Sequence, residues 1–354
     1  MDPVSSSQNS PQSPIVAEVV CRPAPPPRKS RFWGRLGLLL LLLGLGGSLL
    51  LNLALLAATG ISSADPEARV AEKYYSHQHG GPNKIAVISV EGVILNAEGF
   101  IKHQIDRAVA DEHVKAVVLR INSPGGSVAA SDGLYHYLME KRKKKDIPVV
   151  VSMGDITASG GYYLAMAATP GEIFAEPATW TGSIGVLIPH YDLTGLTDHW
   201  GIKDDSIASH RLKTIGSMTK VMTKEERDIL QELVNEAFAR FKEIVCVGRP
   251  NFGKAPETLD KVATGQIFTA GQAKKNGLVD QIGFLDDAVD RAIKLAKLDE
   301  KEVEVVKYKH DLGLFGALMN SESRAAPLDL TALLDLAAPR AYYLCTWLPA
   351  VVTR

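Results

Sequence analysis

The sequence predicts an α/β domain that follows one transmembrane helix, and three features support this prediction. Short β-rich apolar runs alternate with helix-like stretches from residue 84 onward, as in βα repeats around a largely parallel sheet. A stretch from Leu36 to Ala64 contains no charged residue. Glycine-bearing turns connect several of the predicted strands to the helices that follow them.

The composition excludes several classes of protein. Of the 354 residues, 46% are hydrophobic and 22% are charged, so the chain can bury a sizeable core. A formal net charge of -1 gives no overall basic surface, which argues against nucleic acid as a partner. The three cysteines, Cys21, Cys246 and Cys345, lack metal-ligand or disulfide-framework spacing. Neither a metal nor another cofactor is therefore expected.

The N-terminal region predicts a membrane anchor. Residues 1–35 are rich in Ser and Pro, end in a basic cluster and predict a disordered tail. A helix from Leu36 to Ala58 would be roughly 35 Å long, enough to cross a hydrocarbon core of about 30 Å. A cleaved signal peptide is the alternative, because residues 62–64 are small, but its apolar region has typically about 7–15 residues. Basic residues precede the span, which predicts a cytoplasmic N-terminus.

The elements of the α/β domain follow from periodicity. The predicted strands are Ile85–Val93, Val114–Ile121, Ile147–Met153 and Glu172–Ala175, and the predicted helices are Ala97–Ala110, Val128–Lys145, Gly160–Ala168 and Lys224–Val247. Thr223 and Glu226 form a capping-box pattern before the longest helix. We expect a linker at 59–83, the main domain at 84–298 and a C-terminal extension at 299–354.

Three turns contain the candidate functional residues. The first, residues 121–127, has paired glycines whose N–H groups can bind an anion, cap a helix or form half of an oxyanion hole. The second contains Ser159 before two glycines, where a hydroxyl can act as a nucleophile or as an ordinary helix N-cap. The third contains Ser183, whose hydroxyl can orient another side chain or satisfy loop backbone.

These turns and two later motifs together resemble one protease family. The motifs, in chain order, are Asn122–Val128, Ala158–Tyr163, Thr181–Val186, Gly265–Phe268 and Ala270–Gly277. Their order is similar to that in signal peptide peptidase A proteases, over about residues 84–292. The resemblance implies a Clp-protease-like, crotonase-like α/β fold and a Ser-Lys dyad. A single anchor before one peptidase domain is similar to the short form of this family.

The resemblance implies that Ser159 is the nucleophile and Lys213 the general base. Counted from Gly201, Lys213 falls at the family's catalytic position. The surrounding segment, residues 210–214, departs from the usual Lys-Ser-Gly-x-x-Lys pattern, so Lys220 is the second candidate for the base. A lysine can act as a base only in a dry site, because burial disfavours its charged form.

The rest of the implied machinery surrounds this dyad. The N–H groups of Gly126 and Gly160 would stabilise the oxyanion, and the hydroxyl of Ser183 would hold the lysine amine. Substrates implied by the family are remnant signal peptides and other short apolar peptides. The family also implies a homo-oligomeric ring or dome in which subunits complete one another's grooves. The expected location is a bacterial-type inner membrane, with the catalytic domain extracytoplasmic.

Other interpretations of the sequence stay open. His190, His199 and His210 all follow Ser159 and could provide a Ser-His-Asp triad. An acyl-CoA enzyme of the crotonase-like superfamily and a catalytically inactive membrane scaffold are two further function classes. The apolar C-terminal stretches, including Leu328–Ala338, could lie on the membrane, on a subunit or in the protease groove.

Overall fold

The structure is a computed structural model, and it describes residues 31–62, 70–310 and 341–344. Residues 1–30 of the predicted tail, the whole of Leu328–Ala338, Cys21 and Cys345 lie outside these residues, whereas residues 31–35 of that tail form the start of a helix. The chain divides into two units, residues 1–61 and 62–354, which are taken separately below.

The helices are α1 (Arg31–Ser62), α2 (Phe100–Ala110), α3 (Val128–Lys145), α4 (Gly160–Ala165), α5 (Thr194–His199), α6 (Lys224–Gly248), α7 (Pro250–Lys254), α8 (Pro256–Asp260), α9 (Ala270–Lys275) and α10 (Leu285–Leu295). The strands are β1 (Val70–His77), β2 (Asn83–Glu91), β3 (Val114–Ser123), β4 (Gly125–Ser127), β5 (Val149–Ala158), β6 (Ile173–Ala175), β7 (Trp180–Gly182), β8 (Ile267–Thr269), β9 (Gln281–Ile282), β10 (Val303–His310) and β11 (Tyr342–Leu344). Two 3₁₀ turns span Arg211–Thr214 and Glu300–Glu302.

Helix α1 is the apolar segment that the sequence predicts. Its window Leu36–Leu53 has a mean hydropathy of 2.2, and none of the window is buried. Among the described residues this helix is long and apolar enough to cross a membrane, which is consistent with a membrane anchor or a signal sequence.

The predicted α/β class is confirmed in the second unit. Among the described residues, nine strands form one sheet whose main path runs β1-β10-β2-β3-β5-β6-β9; off this path, β7 pairs with β5, and β8 pairs with β7. From β10 to β9, each strand on this path is parallel to the next one. β1 pairs antiparallel with β10, and β8 pairs antiparallel with β7.

Two strands of this sheet lie in segments that the sequence analysis treats as linker and as C-terminal extension. β1 pairs with β10, and β10 lies between β1 and β2, parallel to β2. Val303, Val305 and Tyr308 of β10 are buried, although charged residues separate them in the sequence. The charges interrupt the apolar run that would indicate a strand, and both pairing partners of β10 lie far away in the chain.

Helices cover both faces of the parallel part of the sheet. Alternate residues of β2 point to opposite sides: Ala86 and Ile88 belong to the larger apolar cluster, and Ile85 and Val87 to a second one. Helices α2, α3, α4 and α6 contribute to the first cluster, and α10 covers the second. The strands β3 and β5 both lead into turns that open helices, so their carboxyl ends bring these turns to one edge of the sheet.

Candidate active site

Ser159 occupies a strained turn between β5 and α4. Its backbone has φ 54° and ψ -116°, a conformation that L residues rarely adopt. The turn is fixed by two bonds, from the Ser159 N–H to the Gly182 carbonyl and from the Tyr163 N–H to the Ser159 carbonyl, both 2.8 Å. Ser159 makes no N-cap bond to α4, and its Oγ is buried without a hydrogen-bond partner among the described residues. The Ser159 hydroxyl therefore does not serve as the helix N-cap, which was its alternative role.

Gly126 presents its N–H toward a groove beside Ser159. Ile94 forms hydrogen bonds with the two residues that flank Gly126. The Ile94 N–H donates to the Gly125 carbonyl (2.9 Å), and the Ile94 carbonyl accepts from the Ser127 N–H (2.8 Å). Successive N–H groups of a strand point to opposite sides, so the Gly126 N–H faces away from Ile94. A Cβ on Gly126 would lie 2.0 Å from the Ile94 carbonyl oxygen, which only glycine avoids.

Gly160 supplies a second backbone N–H at the same place. A Cβ on Gly160 would lie 2.4 Å from Ser131 Oγ and 3.1 Å from the Gly126 nitrogen. The two glycine backbones therefore approach more closely than a side chain would allow, and both lie beside Ser159.

Ser183 lies at the adjoining strand end. Strand β7 runs parallel to the last residues of β5, and Thr181 Oγ1 donates a 2.6 Å bond to the Thr157 carbonyl. Ser183 follows Gly182, whose carbonyl binds the Ser159 N–H, and is itself 6% exposed with φ 52°. The structure thus brings together Ser159, Gly126, Gly160 and Ser183.

Lys213 is not brought to Ser159 within the described part of the single chain. It lies in the 3₁₀ turn Arg211–Thr214 as an exposed residue, and Ser159 Oγ accepts no bond from it. Lys220 is engaged elsewhere, because its Nζ lies 2.5 Å from a carboxylate oxygen of buried Glu226. The bonds from Lys220 and from the Thr223 N–H lower the pKa of Glu226 to about 2.

The predicted histidine alternative finds no support in the described residues. His190 Nε2 lies 3.3 Å from the Ser217 carbonyl, and His210 Nδ1 accepts from the Leu212 N–H at 3.2 Å. Neither contacts Ser159 Oγ, which lacks a partner there. The described residues contain no group of three His, Cys, Asp or Glu side chains that could hold a metal ion.

A short strand near the C-terminus lies in the groove. The groove was one of three locations open to the apolar C-terminal stretches, and no sequence signal favoured it over the other two. β11 pairs antiparallel with β4, with Tyr343 opposite Gly126. On its other side, the Tyr342 N–H and carbonyl bond to the Leu187 carbonyl and N–H at 2.9 and 3.1 Å. Residues Tyr342 and Tyr343 are both buried. An extended chain segment is therefore held from both sides beside Ser159.

Comparisons with known proteins identify the family. Residues 141–299 match the model of peptidase family S49. A "Putative signal peptide peptidase SppA" of Enterococcus faecium is 36% identical over 248 residues, which cover 66% of this chain and 70% of that protein. A putative protease of Synechocystis sp. is 37% identical over 63% of this chain and 78% of its own length.

A longer relative shows how much of such proteins this chain represents. "Protease 4" of Salmonella typhi is 38% identical over 242 residues, 65% of this chain, but the chain spans only 38% of that protein. The family match at residues 141–299 includes the turns that contain Ser159 and Ser183. The chain belongs to peptidase family S49 and is a serine peptidase of the signal peptide peptidase A type.

Proposed function

We propose that this protein is a membrane-anchored endopeptidase that degrades remnant signal peptides and other short apolar peptides through a dyad of Ser159 and Lys213. The observation that carries the proposal is Ser159 Oγ, a buried and unpartnered hydroxyl on a strained turn beside two glycine N–H groups. Helix α1 would anchor the enzyme, with its N-terminus cytoplasmic and the peptidase unit extracytoplasmic.

The proposed reaction proceeds through an acyl-enzyme. Neutral Lys213 removes the Ser159 proton while Oγ attacks the peptide carbonyl, and the N–H groups of Gly126 and Gly160 stabilise the oxyanion. The lysine ammonium then protonates the leaving amine. The Lys213 amine then removes a proton from water, which attacks the ester, releases the acyl group and regenerates the serine. Ser183, which adjoins the Ser159 turn, would hold the lysine amine.

An apolar groove supports short apolar peptides as substrates. A cleft of about 430 Å³ includes Ala341 in its lining. Its other lining residues are mostly apolar, together with two charged ones: Ile188, Leu230, Leu233, Ala237, Glu236 and Arg240. An enzyme anchored beside a bilayer would meet the apolar segments that protein export leaves in the membrane.

We propose that a neighbouring copy of the chain supplies Lys213. In the single chain this lysine is exposed while Ser159 is 1% exposed. The segment around Lys213 also presents large apolar side chains, with Trp200 71% and Val221 67% exposed. Exposed apolar surface of this kind favours contact with another protein surface, and a homo-oligomer would bury it and complete the site.

The second candidate function is an inactive membrane scaffold. It is favoured by one observation, the absence of a base at Ser159 in the described part of the single chain. A fluorophosphonate probe distinguishes the two candidates, because only an activated serine reacts with it. Labelling of Ser159 would exclude the scaffold.

The test of the proposed function is hydrolysis of a fluorogenic apolar peptide by the full chain in detergent. We expect Ser159→Ala and Lys213→Ala each to lower kcat/KM by at least about 10³-fold, because each removes a member of the dyad. Lys220→Ala, the matched control for a lysine in the same segment, should stay within about threefold. Hydrolysis that survives Ser159→Ala would show that the dyad is not the catalyst.

A further inference from the structure

The loop that contains Lys213 consists of two limbs joined by a 3₁₀ turn. The first limb, residues 203–209, precedes the turn Arg211–Thr214, and the second limb, residues 215–219, follows it. Every residue of the first limb is exposed, whereas most of the second limb is half-buried. Lys213 therefore lies between one limb that packs against the domain and one that does not.

The second limb is attached to the chain that follows Ser183. The Ser217 carbonyl lies 3.3 Å from His190 Nε2. The Met218 carbonyl accepts a 2.8 Å bond from the Leu193 N–H. These contacts fix the second limb relative to the segment that leads away from the Ser183 turn.

The first limb has no comparable backbone support. None of residues 203–209 forms a backbone–backbone hydrogen bond within the described part of the chain. The side-chain hydrogen bonds that this limb makes with described residues all involve one group, the carboxylate of Asp204. Asp204 therefore provides the hydrogen bonds that hold the first limb in place.

The two carboxylate oxygens of Asp204 bind different limbs. Oδ1 accepts from the Ser206 N–H at 3.1 Å and from the Ser206 hydroxyl at 2.5 Å, both within the first limb. Oδ2 accepts from the hydroxyls of Thr219 at 2.5 Å and Ser217 at 3.4 Å in the second limb. The Ser206 hydroxyl, followed by the Thr219 hydroxyl, lowers the pKa of Asp204 to about 2. The carboxylate is therefore ionised in the neutral range, and an ionised acceptor forms the stronger class of hydrogen bond.

A polar cavity of about 390 Å³ adjoins the two limbs. Its lining includes Asp204 and Ser206 from the first limb, Thr219 from the second and Thr197 from α5. Apart from Ile202, the side chains that line it are charged or bear a hydroxyl. Apolar packing between the limbs is therefore small, and the bonds of Asp204 determine their spacing.

We propose that Asp204 is a positioning residue for the general base: its carboxylate fixes the spacing of the two limbs and thereby sets where Lys213 is presented. The inference rests on the proposed peptidase function and assigns a role to a residue outside the Ser-Lys dyad. Asp204 acts through Lys213 and not on the substrate. Its effect on the rate is large because a misplacement of about 1 Å in a catalytic group can cost about 100-fold.

The first part of the test compares variants of the full chain in detergent, with a fluorogenic apolar peptide as substrate. Asp204→Ala removes all four bonds. Its kcat should fall at least about tenfold, while KM stays within about twofold of the wild-type value. A wild-type kcat in Asp204→Ala would overturn the inference.

The matched control is the neighbouring carboxylate. Asp205 is exposed and forms no hydrogen bond or ion pair with a described residue. Asp205→Ala should therefore keep kcat within about twofold of wild type. A loss in Asp205→Ala equal to that in Asp204→Ala would overturn the inference, because any change in the first limb would then have the same effect.

The second part separates the hydrogen bond from the charge. Thr219→Val removes a hydroxyl that binds Oδ2 and leaves the charge of Asp204 in place. We expect kcat to fall at least about threefold. The double variant Asp204→Ala/Thr219→Val should be no slower than Asp204→Ala, because both changes remove the same contact. Losses that multiply in the double variant would overturn the inference.

The pH profile of kcat provides a readout that a general loss of stability would not change. A lysine that is held less firmly in a dry site is better hydrated and keeps its proton to higher pH. In both Asp204→Ala and Thr219→Val, the pH of half-maximal kcat should therefore rise by at least about half a pH unit. Light scattering should give the same oligomer size for these variants and the wild type. An unchanged pH profile with a smaller oligomer would assign Asp204 to assembly and overturn the inference.

The results separate this inference from the proposed function. Hydrolysis that requires Ser159 and Lys213 but is unaffected by Asp204→Ala would overturn the inference and leave the peptidase function standing. If the full chain hydrolyses no peptide at all, both fail together.

Discussion

The segment that contains Ser159 and the segment that contains Lys213 are built in opposite ways. Ser159 and Ser183 are 1% and 6% exposed, and backbone bonds between β5, β7 and α4 fix their turns. The segment from α5 to α6 carries Trp200 and Ile202 at 71% and 58% exposure. The position of Ser159 therefore follows from contacts within one sheet edge, whereas the role that we propose for Lys213 requires contacts that the described part of one chain does not provide.

The largest expected effect is the recovery of activity when two inactive variants are mixed. Ser159→Ala and Lys213→Ala, each inactive alone, should regain activity when co-expressed and co-purified in detergent. If a neighbour supplies the lysine, about a quarter of the sites in a random mixture pair an intact serine with an intact lysine. Peptide hydrolysis of the mixture should therefore exceed that of either variant by more than about 100-fold.

The control for mixing keeps the number of chains but removes the complementing serine. Ser159→Ala co-expressed with the double variant Ser159→Ala/Lys213→Ala should stay inactive, because no intact serine is present. Failure of the first mixture to recover, with both chains demonstrably in one oligomer, would place the base within the same chain as the serine.

A smaller effect tests the close packing around the nucleophile. Gly160→Ala should lower kcat/KM about 100-fold, because its Cβ would lie 2.4 Å from Ser131 Oγ and displace the N–H beside Ser159. Removing the obstructing hydroxyl with Ser131→Ala should restore part of the loss. Gly195→Ala, where no atom lies within 4 Å of the added Cβ, is the matched control. Equal activity of Gly160→Ala and wild type would show that this N–H has no role.

The parts of the molecule that the sequence predicts well depend on local signals. Helix α3 begins and ends at the predicted residues, and the predicted capping box of Thr223 and Glu226 is present at α6. The turn at Ser159 is also local, since a strand, a small hydroxyl and two glycines are adjacent in the chain. Each of these signals acts within a few residues, so pattern alone can identify it.

The parts that the sequence does not predict depend on distant pairing. β1 and β10 pair although most of the domain lies between them in the chain, and β11 has just three residues to identify it. The ring of Tyr343 in β11 contacts the rings of Tyr163 in α4 and Phe241 in α6, which are both distant in the chain. The predicted role of Lys213 remains a prediction for the same reason, because its neighbours in the working site are set by contacts beyond the local sequence.

A buried ion pair should stabilise the domain that contains Ser159 and take no part in catalysis. Arg249 lies at the end of α6, and its guanidinium contacts both carboxylate oxygens of Asp280 at 2.6 and 2.8 Å and the Gly277 carbonyl at 2.9 Å. Arg249→Met should lower the free energy of unfolding by about 3 kcal/mol, because it leaves Asp280 partly buried and unpaired. Denaturant unfolding in detergent measures this change.

The control is an exposed pair on the same helix. Lys224 and Asp228 lie 2.6 Å apart but are 88% and 61% exposed, so Lys224→Met should change stability by less than about 0.5 kcal/mol. A double variant, Arg249→Met with Asp280→Leu, should lose less than the sum of its single changes. A loss from Arg249→Met no larger than that from Lys224→Met would contradict the assignment.

The smallest effect concerns pH and the boundary between the segment with Lys213 and α6. The pKa of Glu226 is lowered to about 2 by its bonds to Lys220 and the Thr223 N–H. A lowered folded-state pKa gives stability that is present above the unfolded value of about 4.3 and is lost as the pH falls toward about 2. Glu226→Gln should therefore have a lower Tm than wild type at pH 7, and the difference should shrink between about pH 5 and pH 2.

Lys220→Met should reproduce part of this pH dependence, since it removes the same ion pair and leaves the capping box in place. Thermal unfolding of the three chains across this pH range provides the measurement. A Tm difference that is independent of pH would mean that Glu226 stabilises α6 by its shape and hydrogen bonds and not by its charge. In that case Lys220 would be free of its structural role, and the choice between Lys220 and Lys213 as the base would rest on the activity measurements alone.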